Sequence, residues 1–442
     1  STSSRVRALL RPLESLCRTP RHFCGGVFSF LISVHLHSDR LTPVKRRISP
    51  LREFLHKESS SGFFLVLAAA LGLAVANSPL SQGYFDFLAI DFKVEFGLFY
   101  LSLSIVKVIN YGLMTIFFFV VGLEIKRELV AGHLSSVKKA AMPFLAAVGG
   151  MAVPAGIYLL IAGGQAPQGW AVPVATDIAL AVGLLAMMGP SVTLSLRSFL
   201  LALAVIDDIG AILIIALVYS TGITFSWLLA ALMTILVIVL LGKTSVTSFY
   251  IYIFLGLLLW YSLYRTGVHP TLAGVILGLL APHRVMPNAD FEDTDDGSVS
   301  YVEYLGAKLH PYSSLAIVPL FAFANTGVVI TSDSIQDAAT SAIAWGIFVG
   351  LVIGKPLGVV AASYAASKAK VADLPDGALF TKMVATGSAA GIGFTVALFI
   401  ADLAFDDAGQ KSIAIVAVIV ASVVSALFST IFFKLSSAST KN

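Results

Sequence analysis

Read along the chain, apolar residues gather into long runs separated by short polar or charged stretches. Runs approaching the roughly 20 residues needed to cross a bilayer predict transmembrane helices. Twelve such spans are predicted, near 60–77, 101–123, 140–162, 172–188, 196–219, 225–241, 247–263, 268–282, 312–331, 342–364, 382–401 and 411–433. Between the first two, residues 91–100 alternate apolar and polar side chains around Gly97, which fits a short β-hairpin or an irregular loop. Two spans carry helix-weakening stretches. The fourth holds Pro173-Val174-Ala175-Thr176-Asp177, and the eleventh holds Gly387-Ser388-Ala389-Ala390-Gly391-Ile392-Gly393-Phe394-Thr395. Spans three to five and ten to twelve are offset by an odd number, so they run in opposite directions. Each triplet has its interrupted helix second, a pointer to inverted-topology repeats. The plainer reading is two tightly packed but unbroken helices.

Composition agrees with the pattern. Hydrophobic residues make up 57% and charged residues 12%, with a mean hydropathy of +0.90. A soluble domain carries about 25% charged residues, so this is an all-α polytopic membrane protein. Short connections make residues 51–442 one helical domain. The longest loop, 283–311, is expected to be flexible and holds Asp290, Glu292, Asp293, Asp295 and Asp296.

Charge adds orientation. Residues 1–57 carry eleven Lys/Arg against Glu14, Asp39 and Glu53, a net charge of about +8 within a chain of +4. Beside a membrane body this reads as positive-inside anchoring rather than nucleic-acid binding. With the tail inside, the inner loops carry Lys126, Arg127, Lys138, Lys139, Arg197, Lys243, Arg284, Lys368 and Lys370, and the outer ones little beyond Lys93 and Arg265. Both termini are therefore expected in the cytoplasm. Residues 1–50 are expected to form a disordered basic extension or a non-native upstream start, with an Arg- and Ser-rich targeting peptide as the alternative. Cys17 and Cys24 give no disulfide framework or metal site.

Four ionisable residues fall deep inside spans: Asp177, Asp207, Asp208 and Lys355. At roughly 3 kcal/mol each they cost about 12 kcal/mol together, comparable with the net stability of a whole domain. A default ion or proton site follows. Successive helical residues point about 100° apart, so one of Asp207 and Asp208 can meet Lys355 while the other faces a cavity. Asp177 is read first as compensating the positive N-terminus of a half-helix and second as a cation ligand. Lys355 suits a negative half-helix C-terminus. Hard oxygen ligands, including the Thr176 hydroxyl, suit Na+ or Li+. A buried carboxylate that takes either a proton or such a cation, combined with alternating access, exchanges one for the other. No cofactor is expected beyond the transported ions, and no enzymatic activity.

These residues resemble the NhaA family of bacterial Na+/H+ antiporters. The likeness is carried by Ala175-Thr176-Asp177-Ile178-Ala179, Ala204-Val205-Ile206-Asp207-Asp208-Ile209-Gly210-Ala211, Gly354-Lys355-Pro356-Leu357-Gly358, Val121-Gly122-Leu123-Glu124-Ile125-Lys126-Arg127-Glu128-Leu129, Phe321-Ala322-Phe323-Ala324-Asn325 and Gly391-Ile392-Gly393-Phe394-Thr395, in order from about Leu51 to the C-terminus. The resemblance implies twelve helices with crossed, discontinuous helices 4 and 11. It implies Asp208 as the principal Na+/Li+ and proton carboxylate, Asp207 paired with Lys355 and alternating with the cation, and Thr176 and Asp177 at the crossing. It further implies electrogenic exchange driven by the proton gradient and activated at alkaline pH, in a bacterial inner membrane, with homodimers formed through the 91–102 hairpin. Either Asp207 or Lys355 is left to carry the second proton. Glu124, Arg127, Glu128 and His269 are the implied pH-response residues, against plainer readings as a solvated helix end and a hydrogen-bonded interface histidine. The chain departs from the family pattern at Tyr111 and Gly306, where the family carries acids. The competing functions are a passive Na+ channel and an intramembrane aspartyl protease with Asp177 and Asp208 as its dyad. Lys355 and the adjacent Asp207 are out of place in such a dyad.

Overall fold

The computed structural model describes residues 58–439, apart from 98, 133, 190–191, 221, 244–248, 283–284, 287–298 and 377. The N-terminal extension, both cysteines and the acidic residues between Asp290 and Asp296 lie outside the described residues. The chain opens with α1 (Glu58–Ala76) and α2 (Ser81–Ala89), bent by 110° to each other. Strands β1 (Asp91–Phe96) and β2 (Phe99–Ser104) then pair antiparallel, Asp91 opposite Ser104 and Phe96 opposite Phe99. The alternation at 91–100 is thus a hairpin, turned by Gly97 at φ 58°. Its strands occupy the first residues of the expected second span. That span becomes α3 (Ile105–Val130), with a π-helical stretch at Val108–Leu113.

There follow α4 (Val137–Ala162), a 3-10 helix (Pro167–Val174), α5 (Ile178–Met187), α6 (Leu194–Val218), α7 (Phe225–Lys243) and α8 (Phe249–Thr266). The expected span 268–282 holds only α9 (Leu272–Leu280). Nine residues rise about 13.5 Å, short of a hydrocarbon core of about 30 Å. The left-handed Gly267 (φ 89°) and Pro270, which has no N–H, delay its start.

Short strands β3 (Val285–Met286) and β4 (Val299–Ser300) precede α10 (Tyr301–Tyr312). The end of the expected acidic loop is therefore helical. A π-helical stretch (Ser313–Ile317) joins α10 to α11 (Val318–Asn325). Ser300 and Glu303 form a capping box: Ser300 Oγ accepts from the Glu303 amide at 3.2 Å, and Glu303 Oε2 accepts from the Ser300 amide at 2.9 Å. The Ser-x-x-Glu spacing carried that start in the sequence. The chain closes with α12 (Ser332–Thr340), α13 (Ala342–Lys368), α14 (Phe380–Ala390), α15 (Phe394–Ala404) and α16 (Ala408–Ser439). Helices α14 and α15 bend by 47° across a three-residue break. Among the described residues seven helices are long and apolar enough to cross a membrane, or up to nine if each bent pair is one span.

Small residues let the helices that carry the site approach. A Cβ on Gly358 of α13 would collide with the Gly149 carbonyl of α4. A Cβ on Gly150 would lie 3.6 Å from Lys355 Cε, so the lysine stem runs along this glycine groove. Elsewhere α3 meets α9 just as closely: a Cβ on Gly122 would lie 2.7 Å from the Val275 carbonyl, and one on Gly278 2.6 Å from that of Phe119. Close backbone approach through glycine is how helices gain dispersion contacts where lipid supplies no hydrophobic driving force.

Candidate functional site

Two interrupted helices meet inside the bundle. One break is Ala175–Asp177, between the 3-10 helix and α5; the other is Gly391–Gly393, between α14 and α15. Proline at 173 and glycines at 391 and 393 stop regular helix there, and the freed backbone groups find partners across the crossing. The Asp177 amide donates to the Ile392 carbonyl at 2.6 Å. Thr176 Oγ1 lies 2.7 Å from the Ala390 carbonyl and 2.9 Å from Asp207 Oδ2.

Asp177 caps two helices at once. Its Oδ1 accepts from the Leu180 amide at 3.0 Å, in the first turn of α5. Its Oδ2 accepts from the Thr395 amide at 3.0 Å and the Thr395 hydroxyl at 2.5 Å, in the first turn of α15. Each helix N-terminus carries about half a positive charge. Two of them together match the single negative charge of Asp177. Replacing Asp177 by Ala is expected to lower stability by about 2–4 kcal/mol, because both caps and both dipole contacts go. Asp177→Asn keeps one capping oxygen, so about half that loss is expected. Thermal melting of the two purified variants in detergent checks the order, and equal melting of Asp177→Ala and wild type would refute it.

Lys355 is fully buried on α13, directly after a π-helical stretch at Gly350–Gly354 and before Pro356. Such stretches reset helical register and recur at functional sites. The ammonium donates to Asp207 Oδ2 at 2.6 Å and to the Val174 carbonyl at 2.5 Å, the last residue of the 3-10 helix. Lys355 therefore serves a carboxylate and a helix C-terminus together. Asp207, 1% exposed, has its other oxygen, Oδ1, without a hydrogen-bond partner among the described residues.

Asp208 is the carboxylate that these pairings leave over. It is 5% exposed, and among the described residues no donor hydrogen-bonds it. It lines a cavity of about 280 Å³ together with Asp177, Val205 and Thr395. Glu124, Arg127, Glu128 and His310 line the same cavity, and Arg127 lies 4.0 Å from Glu128. Asp177 is balanced by two helix ends, and Asp207 by Lys355. Asp208 makes no ion pair among the described residues, so a third negative charge there calls for a mobile cation or a proton.

Of the residues marked from sequence, Thr176, Asp177, Asp207 and Lys355 are joined directly by hydrogen bonds or through the crossing. Glu124, Arg127 and Glu128 share the Asp208 cavity. His269 does not. It lies on a second cavity at the hairpin end, with Nδ1 2.6 Å from Thr271 Oγ1. Sequence reading missed Thr395, although its motif was singled out; its place two residues after Gly393 was the available signal. The helix C-terminus expected beside Lys355 is the Val174 carbonyl, but neither that residue nor the Ala390 carbonyl was identified as the acceptor. Backbone acceptors carry no residue-type signature, so no sequence pattern marks them. Among the described residues no cluster of three or more His, Cys, Asp or Glu is arranged to hold a resident metal ion.

A family model described as Na+/H+ antiporter 1 matches residues 52–433. The Na(+)/H(+) antiporter NhaA of Shewanella baltica is 46% identical over 360 residues, covering 81% of this chain and 90% of the relative. That of Shewanella sp. strain MR-7 is 44% identical over 381 residues, covering 85% and 95%. Among solved structures, the sodium proton antiporter MjNhaP1 from Methanocaldococcus jannaschii at pH 8 aligns with a TM-score of 0.51 at 14% identity, covering 86% of this chain and 97% of that one. At that identity the likeness concerns the fold.

Proposed function

The chain belongs to the Na+/H+ antiporter 1 family, and on that premise we propose that it is an electrogenic secondary transporter that expels Na+ or Li+ in exchange for a larger number of protons. One observation carries the reading: Asp208 is a buried carboxylate that makes no ion pair among the described residues, and it lines a cavity shared with Glu124, Arg127 and Glu128. A proton and a cation compete for it, because holding both would restore an uncompensated charge, and holding neither leaves one.

The neighbours give the cycle its parts. With the cavity on the Glu124 side, Na+ reaches Asp208, and the spare Oδ1 of Asp207 offers a second hard oxygen. A cation drawn towards Asp207 competes with the Lys355 ammonium, so the Asp207–Lys355 pair releases the second proton. Rocking at the crossing then exposes the site to the hairpin side, where protons replace Na+. This is alternating access by two inverted halves, each with an interrupted helix at the midplane. Glu124, Arg127 and Glu128, with His310, set the local potential of the inner cavity and tune its response to pH.

Lys126, Arg127, Lys138, Lys139, Arg197, Lys243, Lys368 and Lys370 lie at or beyond helix ends on the Glu124 side. By the positive-inside rule that side is the cytoplasm of a bacterial inner membrane, with both termini there. At the opposite end the two-stranded sheet turns β2 towards α8, where the Tyr264 hydroxyl donates to the Ser102 carbonyl at 3.3 Å, and no described strand pairs with the other edge of β1. It is held to α8 by Tyr261, whose hydroxyl accepts from the Tyr100 amide at 3.0 Å. A free edge pairs readily with another strand, so the hairpin serves to join two copies within the lipid bilayer. The physiological role is Na+ and pH homeostasis.

The test is a sided proton assay. Everted vesicles holding a preset ΔpH should lose it on addition of Na+ or Li+, most strongly at alkaline pH. The loss should quicken when the membrane potential is clamped at zero, the mark of net charge movement. Na+ flux without proton movement would identify a passive channel instead.

A further inference from the structure

The second cavity is larger, about 1290 Å³, and lies beside the hairpin. Four elements line both cavities. Helix α3 gives Phe117 and Val121 to the Asp208 side, and Asn110 and Tyr111 to the hairpin side. Helix α6 gives Asp208 to the one and Val218 to the other, α15 gives Thr395 and Asp402, and α11 gives Val318 and Asn325. Thr395 and Asp402 are seven residues apart, about 10 Å along a helix. Between the cavities stand Phe118, Phe321 and Phe399, all buried, with ring centroids 5.4 Å and 6.0 Å from Phe399. An apolar wall thus stands between the residues that line the two cavities.

The hairpin-side cavity has its own organised carboxylate. Asp402 Oδ2 accepts from Asn110 Nδ2 at 3.0 Å, and Asn110 and Asn325 exchange hydrogen bonds at 3.0 and 2.8 Å. Three helices that line both cavities are thereby joined at Asp402. Its other oxygen pairs with Lys411 of α16. The side chains of Lys411 and Asp402 are 34% and 18% exposed, so this ammonium is exchangeable, unlike the fully enclosed Lys355. Asp406 and Asp407 lie on the same cavity, and with Asp402 they outnumber Lys107 and Lys411, which favours cations. Asp407 is engaged in capping α16 through the Gln410 amide at 2.8 Å. A separate observation points to a polar occupant. His269, only 7% exposed, is on this wall, and its Nε2 has no partner among the described residues. Its Nδ1 lies 2.6 Å from Thr271 Oγ1 and 3.4 Å from the Thr271 amide.

We propose that Asp402 is a cation-binding carboxylate on the hairpin side of the transport route, occupied by the Lys411 ammonium at rest and by Na+ in transit. The proposal rests on the antiport reading for its direction of flow. Asn110 and Asn325 are positioning residues that aim the carboxylate, and Lys411 is the built-in competitor that keeps affinity low enough for release.

The test is 22Na+ flux by the full chain in oriented proteoliposomes, with Na+ varied separately at each face. Asp402→Asn should raise half-saturation at the hairpin face about tenfold and change it by less than about twofold at the Glu124 face. Lys411→Gln, which keeps the carboxylate and removes its competitor, should lower half-saturation at the hairpin face. Equal effects of Asp402→Asn at both faces would overturn the proposal, and so would Lys411→Gln weakening Na+ as Asp402→Asn does. The reversed pair, Asp402→Lys with Lys411→Asp, separates a binding site from a structural clasp: recovery of wild-type half-saturation would show a clasp and refute the site. Wild-type protein that carries Na+ without protons would refute antiport alone, because the sided effect is read from Na+ flux.

Discussion

Asp208→Asn is expected to abolish Na+-driven proton movement, lowering the rate at least about 100-fold, while the protein keeps its melting temperature. The two halves of this result belong together. An amide has nearly the shape of a carboxylate but cannot take up a proton at working pH or offer a full charge to a desolvated cation. Losing one buried charge contact costs about 3 kcal/mol, which is about 100-fold. The fold has no use for that charge. Among the described residues no donor bonds Asp208, so its removal leaves no partner stranded. Stability should hold or rise, since an uncompensated carboxylate leaves the interior. Sided ΔpH assays and melting in detergent check both halves. Retained exchange would remove Asp208 from the mechanism, and a large fall in melting would assign it an architectural role.

Lys355→Ala does the reverse. It is expected to destabilise by about 3–5 kcal/mol, the range for removing one partner of a buried ion pair. Asp207 is left in the interior at 1% exposure, with Thr176 as its remaining hydrogen-bond donor, and the Val174 carbonyl loses its ammonium at the end of the 3-10 helix. The stem also leaves a void against Gly150. Adding Asp207→Asn to Lys355→Ala should return part of the loss, because the stranded charge is gone. Melting temperatures of the two singles and the double form a cycle that isolates the pair. Additive losses, or a Lys355→Ala that melts like wild type, would show that the pair at 2.6 Å contributes nothing.

How much of this could be read from residues alone varies by element. The long apolar runs appear as α1, α4, α6, α7 and α13 within a few residues of their expected limits, because hydropathy over twenty residues outweighs local preference, while α3 and α16 run six or seven residues past their expected ends. The short elements were less legible. Helix α9 stops short of a span because Gly267 and Pro270 consume the start of its apolar run. Helix α10 was hidden by its polarity, although Ser300 and Glu303 announced it. The alternation at 91–100 left hairpin and loop open, since a two-stranded ribbon gains its stability from docking, here on Tyr261.

Residue chemistry alone requires charges in the membrane interior and says which they are. Asp177, Asp207, Asp208 and Lys355 stand in runs too apolar to be anywhere else, and their cost demanded compensation. It also marked where helices could break, because proline and paired glycines act locally, while leaving two unbroken helices open until the breaks at 175–177 and 391–393 are seen. Packing between distant segments fixes who compensates whom. Helical geometry puts Asp207 and Asp208 about 100° apart without saying which one turns towards α13. The glycine groove of α4, the π-helical stretch before Lys355 and the crossing of two breaks settle it, and each is a contact between segments far apart in the chain. The same holds for Asp177, whose two caps belong to helices more than two hundred residues apart. Charge is a property of a residue, but its balance is a property of the packing around it.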